Sequence, residues 1–438
     1  MFGKKIGFLF FFAIVVKFIL AWIIPVFGDE SYYWFWGQHV QLSYFDHPGM
    51  VGWLTWLGSK LSFLPISLLV RWPFIFLSTL SLFLFIQILR TTNNDNSRAS
   101  AWLIACYLLN PLLGVGGILA TPDVPLVFFW TLSYWVVLQI LKNQRPIDYA
   151  YLGISLGLGL CSKYHIVLFP LSTFIGLLFV GRIKEIQYKK IILTLVFGFV
   201  FSLPVLVWNY QNNWASFAFQ LNHGFQGKSY TPLWTLTYIA GQILLFNPIL
   251  FYQLLRSCRK VFSKNIALTN WLFFLISSFK AGVEANWPIA AHTNGLLALN
   301  QTKNHRYLKS AFIYFAALWF FACILYFSNF GQLKMNRVPN SLAAQRIWSE
   351  ISMYRPIYGP TYQMSSLFHM ISGQQVLKLS ELSRIDFYDS NLFSKPVEKT
   401  FYTLKYNSSD WPSWLESAEK TEVLSFPKDG LSLYRIQK

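Results

Sequence analysis

The feature that most constrains this chain is a succession of long apolar runs parted by short basic clusters. A helix needs about 20 apolar residues to cross a bilayer. Candidate runs lie at about 6–27, 66–89, 99–120, 124–141, 149–162, 165–181, 191–208, 234–255, 266–280, 287–300 and 308–328. Composition agrees: only 12% of the 438 residues are charged, against 54% hydrophobic and 19% aromatic, whereas soluble domains carry about 25% charged residues. In water such a chain would expose large apolar patches, so lipid has to be its solvent. The expected fold is an all-α polytopic membrane protein of about eleven transmembrane helices over 1–328.

The net charge of +18 does not indicate nucleic acid, because the basic residues sit between apolar runs and form no stripe. Lys4/Lys5, Arg90/Arg98, Lys142/Arg145, Arg182/Lys184/Lys189/Lys190, Arg256/Arg259/Lys260/Lys264 and Lys303/Arg306/Lys309 fall in alternate loops. The excess of Lys and Arg in cytoplasmic loops places these inside. The N-terminus is then cytoplasmic, and the region after the last run is periplasmic in a bacterial inner membrane. Lys4 and Lys5 precede an apolar run too long for a signal-peptide core, with no small-residue cleavage site before Asp29, so it reads as a retained first helix. The cysteines, Cys106, Cys161, Cys258 and Cys323, form no disulfide framework or CxxC metal motif.

Beyond residue 328 the character changes. Charges become frequent, and short alternating stretches appear at 400–406, 422–426 and 431–436, with an amphipathic helical pattern at 362–371. Residues 329–438 therefore read as a small soluble α/β domain.

Ten of the 18 acidic residues lie in that C-terminal region. Of the eight before it, Asp29, Glu30, Asp46, Asp123 and Glu284 sit in outward loops or at outer helix ends. A carboxylate among apolar neighbours at the membrane edge is costly unless it has a partner or a task. The first outer loop, 28–60, is the richest. It carries Asp29, Glu30 and Asp46 with His47-Pro48, and two aromatic amphipathic segments, 31–40 and 49–61, suited to helices lying in the interface. Its aromatic residues, Tyr33 among them, can serve as interfacial belt residues or stack on a sugar ring. Asp29 and Asp123 both stand where a helix N-cap would.

DESYYW at 29–34 followed by YFDHPG at 44–49 resembles the first outer loop of the C-fold membrane glycosyltransferases. Those are the protein O-mannosyltransferases and the bacterial aminoarabinose-transferase-like enzymes that modify lipid A. TPDVPL at 121–126, GLGLCSKY at 157–164, NNWASFAFQL at 212–221 and VEANWP at 283–288 extend the likeness in order over about residues 1–300. Gly49 departs from the pattern, standing where the family has a second proline. The resemblance implies a membrane hexosyl- or pentosyltransferase with a polyprenyl-phosphate sugar donor, an outward-facing site and inversion at the anomeric carbon. The acceptor would be lipid A, another glycolipid, a polysaccharide or a protein.

By motif, the resemblance makes Asp29 the base, with Glu30 beside it and Asp46 a second essential acid, and makes Lys163 a contact of the donor phosphate. Arg71, at the outer end of the second run, is the next phosphate candidate, with snorkelling as the alternative. Lys60, Lys228 and Lys280 complete the outward cations. His47 would bond a phosphate oxygen or support Asp46. Glu284, Asn286 and Trp287 would bind the acceptor, or Glu284 would pair with Lys280. No His cluster supports a transition-metal site, which leaves a hard divalent cation at Asp29, Asp46 and Glu284 as the open metal alternative and no certain cofactor. The competing function is a transporter or flippase of lipid-linked sugars. That predicts repeat symmetry and mid-membrane charges, but no internal repeat is seen and Lys17 is nearly alone in the spans.

Overall fold

A computed structural model describes residues 2–92, 97–225, 230–300, 306–328, 339–391 and 395–438. Lys228 lies outside them. The described chain is mostly helical, and its contacts divide into two compact units. The first comprises 1–21, 41–54 and 71–319; the second comprises 22–40, 55–70 and 320–438. The second unit thus joins parts of the first outer loop to the C-terminal stretch.

Each of the eleven apolar runs contains helix, but their lengths differ from a set of plain spans. Four helices are long and apolar enough to cross a bilayer: Ile66–Thr92, Asp123–Asn143, Tyr188–Gln211 and Arg306–Tyr326. The runs at 99–120 and 234–255 are each a pair of helices, bent by 68° and 93°. Counting each pair as one span gives six by length and composition among the described residues. Gly7–Ile23, Tyr164–Val180 and Ile289–Leu299 are shorter apolar helices.

Both breaks occur at an Asn-Pro step, Asn110-Pro111 and Asn247-Pro248. Proline has no N–H to give to the preceding turn and pushes the residue before it out of the helical region. Asn110 is accordingly extended, with ψ 126°, and Asn247 adopts φ 93°, ψ 120°. Each Asn side chain then repairs the break. Asn110 Oδ1 accepts from the backbone N–H groups of Leu112 and Leu113, both at 3.1 Å, and Asn247 Oδ1 accepts from Ile249 (2.9 Å) and Leu250 (3.3 Å). Their Nδ2 groups donate to the carbonyls of Leu245 (3.0 Å) and Ala311 (2.9 Å). Non-helical backbone in an apolar surrounding is tolerated when its polar groups are satisfied in this way.

Helix Ile289–Leu299 is buried along its whole length. His292 on it accepts from Asn110 Nδ2 through Nδ1 (3.1 Å), which places the ring proton on Nε2, facing Gln242 Oε1 at 3.1 Å. Asn294 accepts the indole N–H of Trp130 at 2.6 Å. Lys17 is turned inward and donates to Ser78 Oγ at 2.7 Å. By contrast, helices Tyr188–Gln211 and Arg306–Tyr326 present Leu195, Phe199, Phe320 and Phe321 outward, as lipid-facing surfaces do.

In the second unit a five-stranded sheet has the order β2-β1-β3-β5-β4, with β1 Ile357–Gly359, β2 Leu377–Lys378, β3 Thr400–Tyr406, β4 Glu419–Phe426 and β5 Leu431–Gln437. β1 is parallel to β2 and β3; β5 is antiparallel to β3 and β4. Leu404, Leu431 and Leu433 pack with Ile347, Leu367 and Phe368 from helices Ser341–Ile351 and Tyr362–Ser372. Phe401, Ile436 and Leu415 form a second cluster with Leu379 and Leu382. Both faces of the sheet are thereby covered.

Helix Tyr362–Ser372 also packs on helix Gly28–Gln38. His369 presents its ring to Trp34 and Phe35 at 5.4 and 5.1 Å, with a buried Nδ1 that has no hydrogen-bond partner. Burial, with His39 adding charge repulsion, holds its proton affinity below the ordinary 6.5. The folded ring stays neutral while the unfolded one gains a proton, so this site's stability is present above about pH 6.5 and is lost as pH falls below it. Amide protection of 362–372 should fall as pH is lowered from 7.5 to 5.5, and His369→Phe should flatten that dependence. Hydrogen exchange read by mass spectrometry measures both.

Candidate functional site

In the second unit, the first outer loop forms helix Gly28–Gln38. Its N-cap is Phe27, so Asp29 is not the cap expected from its position but lies within the first turn. Glu30 is buried, and its Oε2 accepts the Phe27 N–H at 3.1 Å, as the third residue of a capping box does. Asp29 is exposed. Its Oδ1 accepts hydrogen bonds from Tyr362 Oη (3.4 Å) and Gln363 Nε2 (3.3 Å), two residues of the C-terminal stretch. Both carboxylates stand in the helix's first turn, at the positive end of its dipole.

Backbone pairing fixes the start of this helix. Gly28 N–H donates to Pro339 O and Ser341 N–H to Val26 O, both at 2.8 Å. Tyr33 is buried against Trp36, with ring centroids 5.1 Å apart, and its carbonyl accepts from Thr55 Oγ1 at 2.8 Å. It is a packing residue of this unit. Tyr32 Oη accepts the Phe387 N–H at 2.9 Å, and Phe35 stacks on Tyr388 at 4.8 Å.

Asp46 and His47 belong to the first unit. They lie at the tip of a tight turn closed by a bridge between Ser43 and Pro48 and by the Tyr44 N–H on His47 O at 3.1 Å. Gly49 follows this turn. A Cβ there would fall 2.5 Å from Leu42 O and 2.7 Å from the Trp53 ring. The departure from the family's second proline therefore has a local cause: this turn has no room for a side chain. The Asp46 side chain is buried, and its carbonyl accepts from Gln220 Nε2 on helix Ala215–Phe225.

The same unit assembles Asp123, Lys163 and Asn286, which are widely spaced in sequence. Helix Asp123–Asn143 has Pro122 as its N-cap, so Asp123 is not the cap either. Its carboxylate is shared: Oδ1 takes Lys163 Nζ and Oδ2 takes Asn286 Nδ2, each at 2.6 Å. Lys163 ends helix Pro146–Ser162 in an extended conformation, φ −159° and ψ 138°, which turns the chain before Tyr164. Both partners of the ion pair are buried. Tyr164 Oη bonds Ser216 Oγ at 2.8 Å, tying this corner to the helix that carries Gln220. Trp287 lies 5.6 Å from the His165 ring. Glu284 is exposed, its carbonyl accepting the Trp287 N–H at 3.1 Å.

Arg71 is wholly buried and donates from Nη1 to Ala21 O at 2.9 Å, so it is drawn into the helical unit and does not snorkel to its surface. A cavity of about 190 Å³ is lined by Tyr164, His165, Gln220, Leu221, Phe274 and Trp287. A larger cleft of about 520 Å³, between helices Pro146–Ser162, Leu168–Val180 and Ile191–Gln211, is walled almost wholly by apolar side chains. Among the described residues no three His, Cys, Asp or Glu side chains form a group that could hold a metal ion.

Sequence reasoning singled out Asp29, Asp46, Asp123, Lys163 and Asn286, but not the contacts of Tyr362, Gln363 and Gln220. Tyr362 and Gln363 open an amphipathic helix, and nothing local distinguishes them from its solvent face.

Comparison with known proteins gives three findings. Residues 46–208 match the model of the dolichyl-phosphate-mannose-protein mannosyltransferase family. The lipid A galacturonosyltransferase RgtD of Rhizobium johnstonii is 23% identical over 295 residues, which are 62% of this chain and 59% of that protein. The crystal structure of ArnT from Cupriavidus metallidurans without ligand superposes with a TM-score of 0.70 at 12% identity, covering 99% of this chain and 98% of that one. Its undecaprenyl-phosphate-bound form gives 0.66 at the same identity and coverage. These likenesses bear out the resemblance read from the motifs, and the superposition identifies the fold.

Breaking the buried pair should be costly, because an unpaired buried cation would remain. Asp123→Ala is expected to destabilise the helical unit by about 3–5 kcal/mol. Asp123→Leu with Lys163→Met should recover most of that loss. Thermal unfolding in detergent compares the two.

Proposed function

We propose, from this chain's kinship with the protein O-mannosyltransferase and aminoarabinose-transferase-like membrane glycosyltransferases, that it is an inverting enzyme of that kind. It moves a sugar from a polyprenyl-phosphate donor to an envelope acceptor at the periplasmic face of the inner membrane. The likeness to a lipid A galacturonosyltransferase makes lipid A the first acceptor to test. The undecaprenyl phosphate bound by ArnT makes a polyprenyl phosphate the first donor to test. The observation that carries the reading is the placement of Asp29, an exposed carboxylate at a helix N-terminus held by two hydrogen-bond donors.

Inversion requires the acceptor hydroxyl to attack the anomeric carbon from the face opposite the phosphate. Asp29 takes the hydroxyl proton as the new C–O bond forms, and the C–O bond to phosphate breaks with its electron pair leaving on the phosphate oxygen. Glu30 fixes the helix turn that presents Asp29, and Asp46 is the second essential acid. Cations near the leaving group stabilise the negative charge that develops there. Lys163 is the first candidate for that task, and Arg71 the second. The Asp123 carboxylate pairs with the Lys163 ammonium and orients it; Asn286 orients Asp123 in turn. An ammonium held by a carboxylate can turn its remaining N–H groups to a phosphate oxygen, a stronger acceptor for carrying more charge. Apolar and aromatic walls at the cavity beside His165 and Trp287 suit a lipid-linked substrate. Glu284 and Trp287 remain candidates for acceptor binding, as His47 does for support of Asp46.

Asp29→Asn and Asp46→Asn should each abolish transfer from a labelled polyprenyl-phosphate sugar in liposomes, with membrane insertion unchanged. Full activity in both variants would overturn the mechanism. Orientation has its own test. After replacement of the exposed Cys258 and Cys323 by Ser, Ser390→Cys should be labelled by an impermeant thiol reagent added from outside intact spheroplasts. Labelling only after permeabilisation would place the C-terminal region in the cytoplasm.

A further inference from the structure

We propose that Tyr362 and Gln363 are positioning residues for Asp29, so that the C-terminal stretch completes the reaction site. This rests on the reading of Asp29 as the base. An exposed carboxylate on a helix's first turn samples several rotamers, and a base that must meet one hydroxyl gains from being confined to one. The Tyr362 phenol and the Gln363 amide both converge on Oδ1, at 3.4 and 3.3 Å. A carboxylate anchored through one oxygen has the direction of the other set as well. Hydrogen bonds to a carboxylate favour its ionised form, so the acid limb of the pH–rate profile is where their removal would be read.

The two donors are themselves held from several sides. The Tyr362 ring lies 4.3 Å from that of Tyr32 and carries the Arg384 guanidinium over it at 4.7 Å. Arg384 is placed by its own carbonyl, which accepts from Lys378 Nζ at 2.9 Å. That buried ammonium is pinned by Asp386 Oδ2 at 2.8 Å and by Asp389. Gln363 sits where the helices come closest: a Cβ on Gly28 would lie 2.5 Å from its Cβ. Its carbonyl also accepts from Ser31 Oγ at 3.4 Å. Only glycine at 28 lets the Gln363 amide approach the adjacent carboxylate.

The test uses the full-length enzyme in liposomes with a labelled polyprenyl-phosphate sugar, comparing Tyr362→Phe, Gln363→Met and the double variant with wild type. Each single change should lower kcat by about tenfold, leave the donor KM unchanged, and move the acid limb of the pH–rate profile to higher pH. The double variant should shift further. A double variant with wild-type kcat and pH profile would overturn the proposal. So would a loss of activity with a lowered melting temperature and an unmoved acid limb, since that is the signature of packing alone. Asp29→Asn run alongside separates the two ideas. If it is inactive while the double variant is normal, only the positioning role fails; if it is fully active, the reading of Asp29 as base fails first.

Discussion

Lipid cannot hydrogen-bond the backbone, and this constraint governs the helical unit. It makes helix the default wherever the chain runs through hydrocarbon, and it makes every departure from helix demand a local donor or acceptor. The two Asn-Pro breaks show how such a demand is met. Proline removes the N–H that would have continued the helix, and the preceding Asn supplies an oxygen for the next helix's first amides and an amide for a distant carbonyl. Asn110 links its break to helix Ile289–Leu299 through His292, which reaches Gln242 on the helix leading to the other break. These are cross-chain ties at sequence separations of 182 and 50 residues. They replace what hydrophobic burial does between helices in water, because lipid tails and leucines differ little as surroundings.

A different constraint governs the unit with the sheet. Its short parallel strands and the segment 378–391 have little apolar length of their own. What orders that segment is a buried ammonium, Lys378, satisfied by one carbonyl and two carboxylates. Such a group is stabilising only while all its partners are present. The clasp determines where Phe387 and Tyr388 lie, and those two residues hold Tyr32 and Phe35 of helix Gly28–Gln38. Local order in the C-terminal stretch and the placement of Asp29 are thus one problem in packing.

Much of this was legible in the sequence because it depends on local pattern. The alternation at 400–406 returned as β3, and the amphipathic period at 362–371 as helix Tyr362–Ser372. The apolar runs all became helical. Hydropathy did not show that two runs bend by 68° and 93°, since apolar content is the same on either side of a break; the Asn-Pro steps were the signal that would have found them. β1 and β2 were missed because three- and two-residue strands carry no period. At the site, motif placed Asp123, Lys163 and Asn286 on one list but could not say that they share one carboxylate. The capping role expected of Asp29 and Asp123 failed for a shared reason. Each helix begins with the acidic residue already inside its first turn, where its carboxylate meets side chains from elsewhere in its unit.

That displacement is the step from fold to chemistry. An acidic N-cap spends its oxygen on its own helix's amides. In helix Gly28–Gln38 the reciprocal capping task falls to Glu30, whose buried oxygen takes the Phe27 amide. Asp29, one residue earlier, stands in the same first turn and accepts from Tyr362 and Gln363. The Asp-Glu pair therefore reads as a division of labour between neighbours: one carboxylate builds the turn, and the other is presented by it. At Asp123 the carboxylate goes instead to a buried lysine, whose charge taken out of water calls for an opposite partner. The proposed contact of Lys163 with a donor phosphate would need such a partner beforehand. Placed just inside their helix starts, one of these two carboxylates stays exposed and the other pairs with a buried lysine.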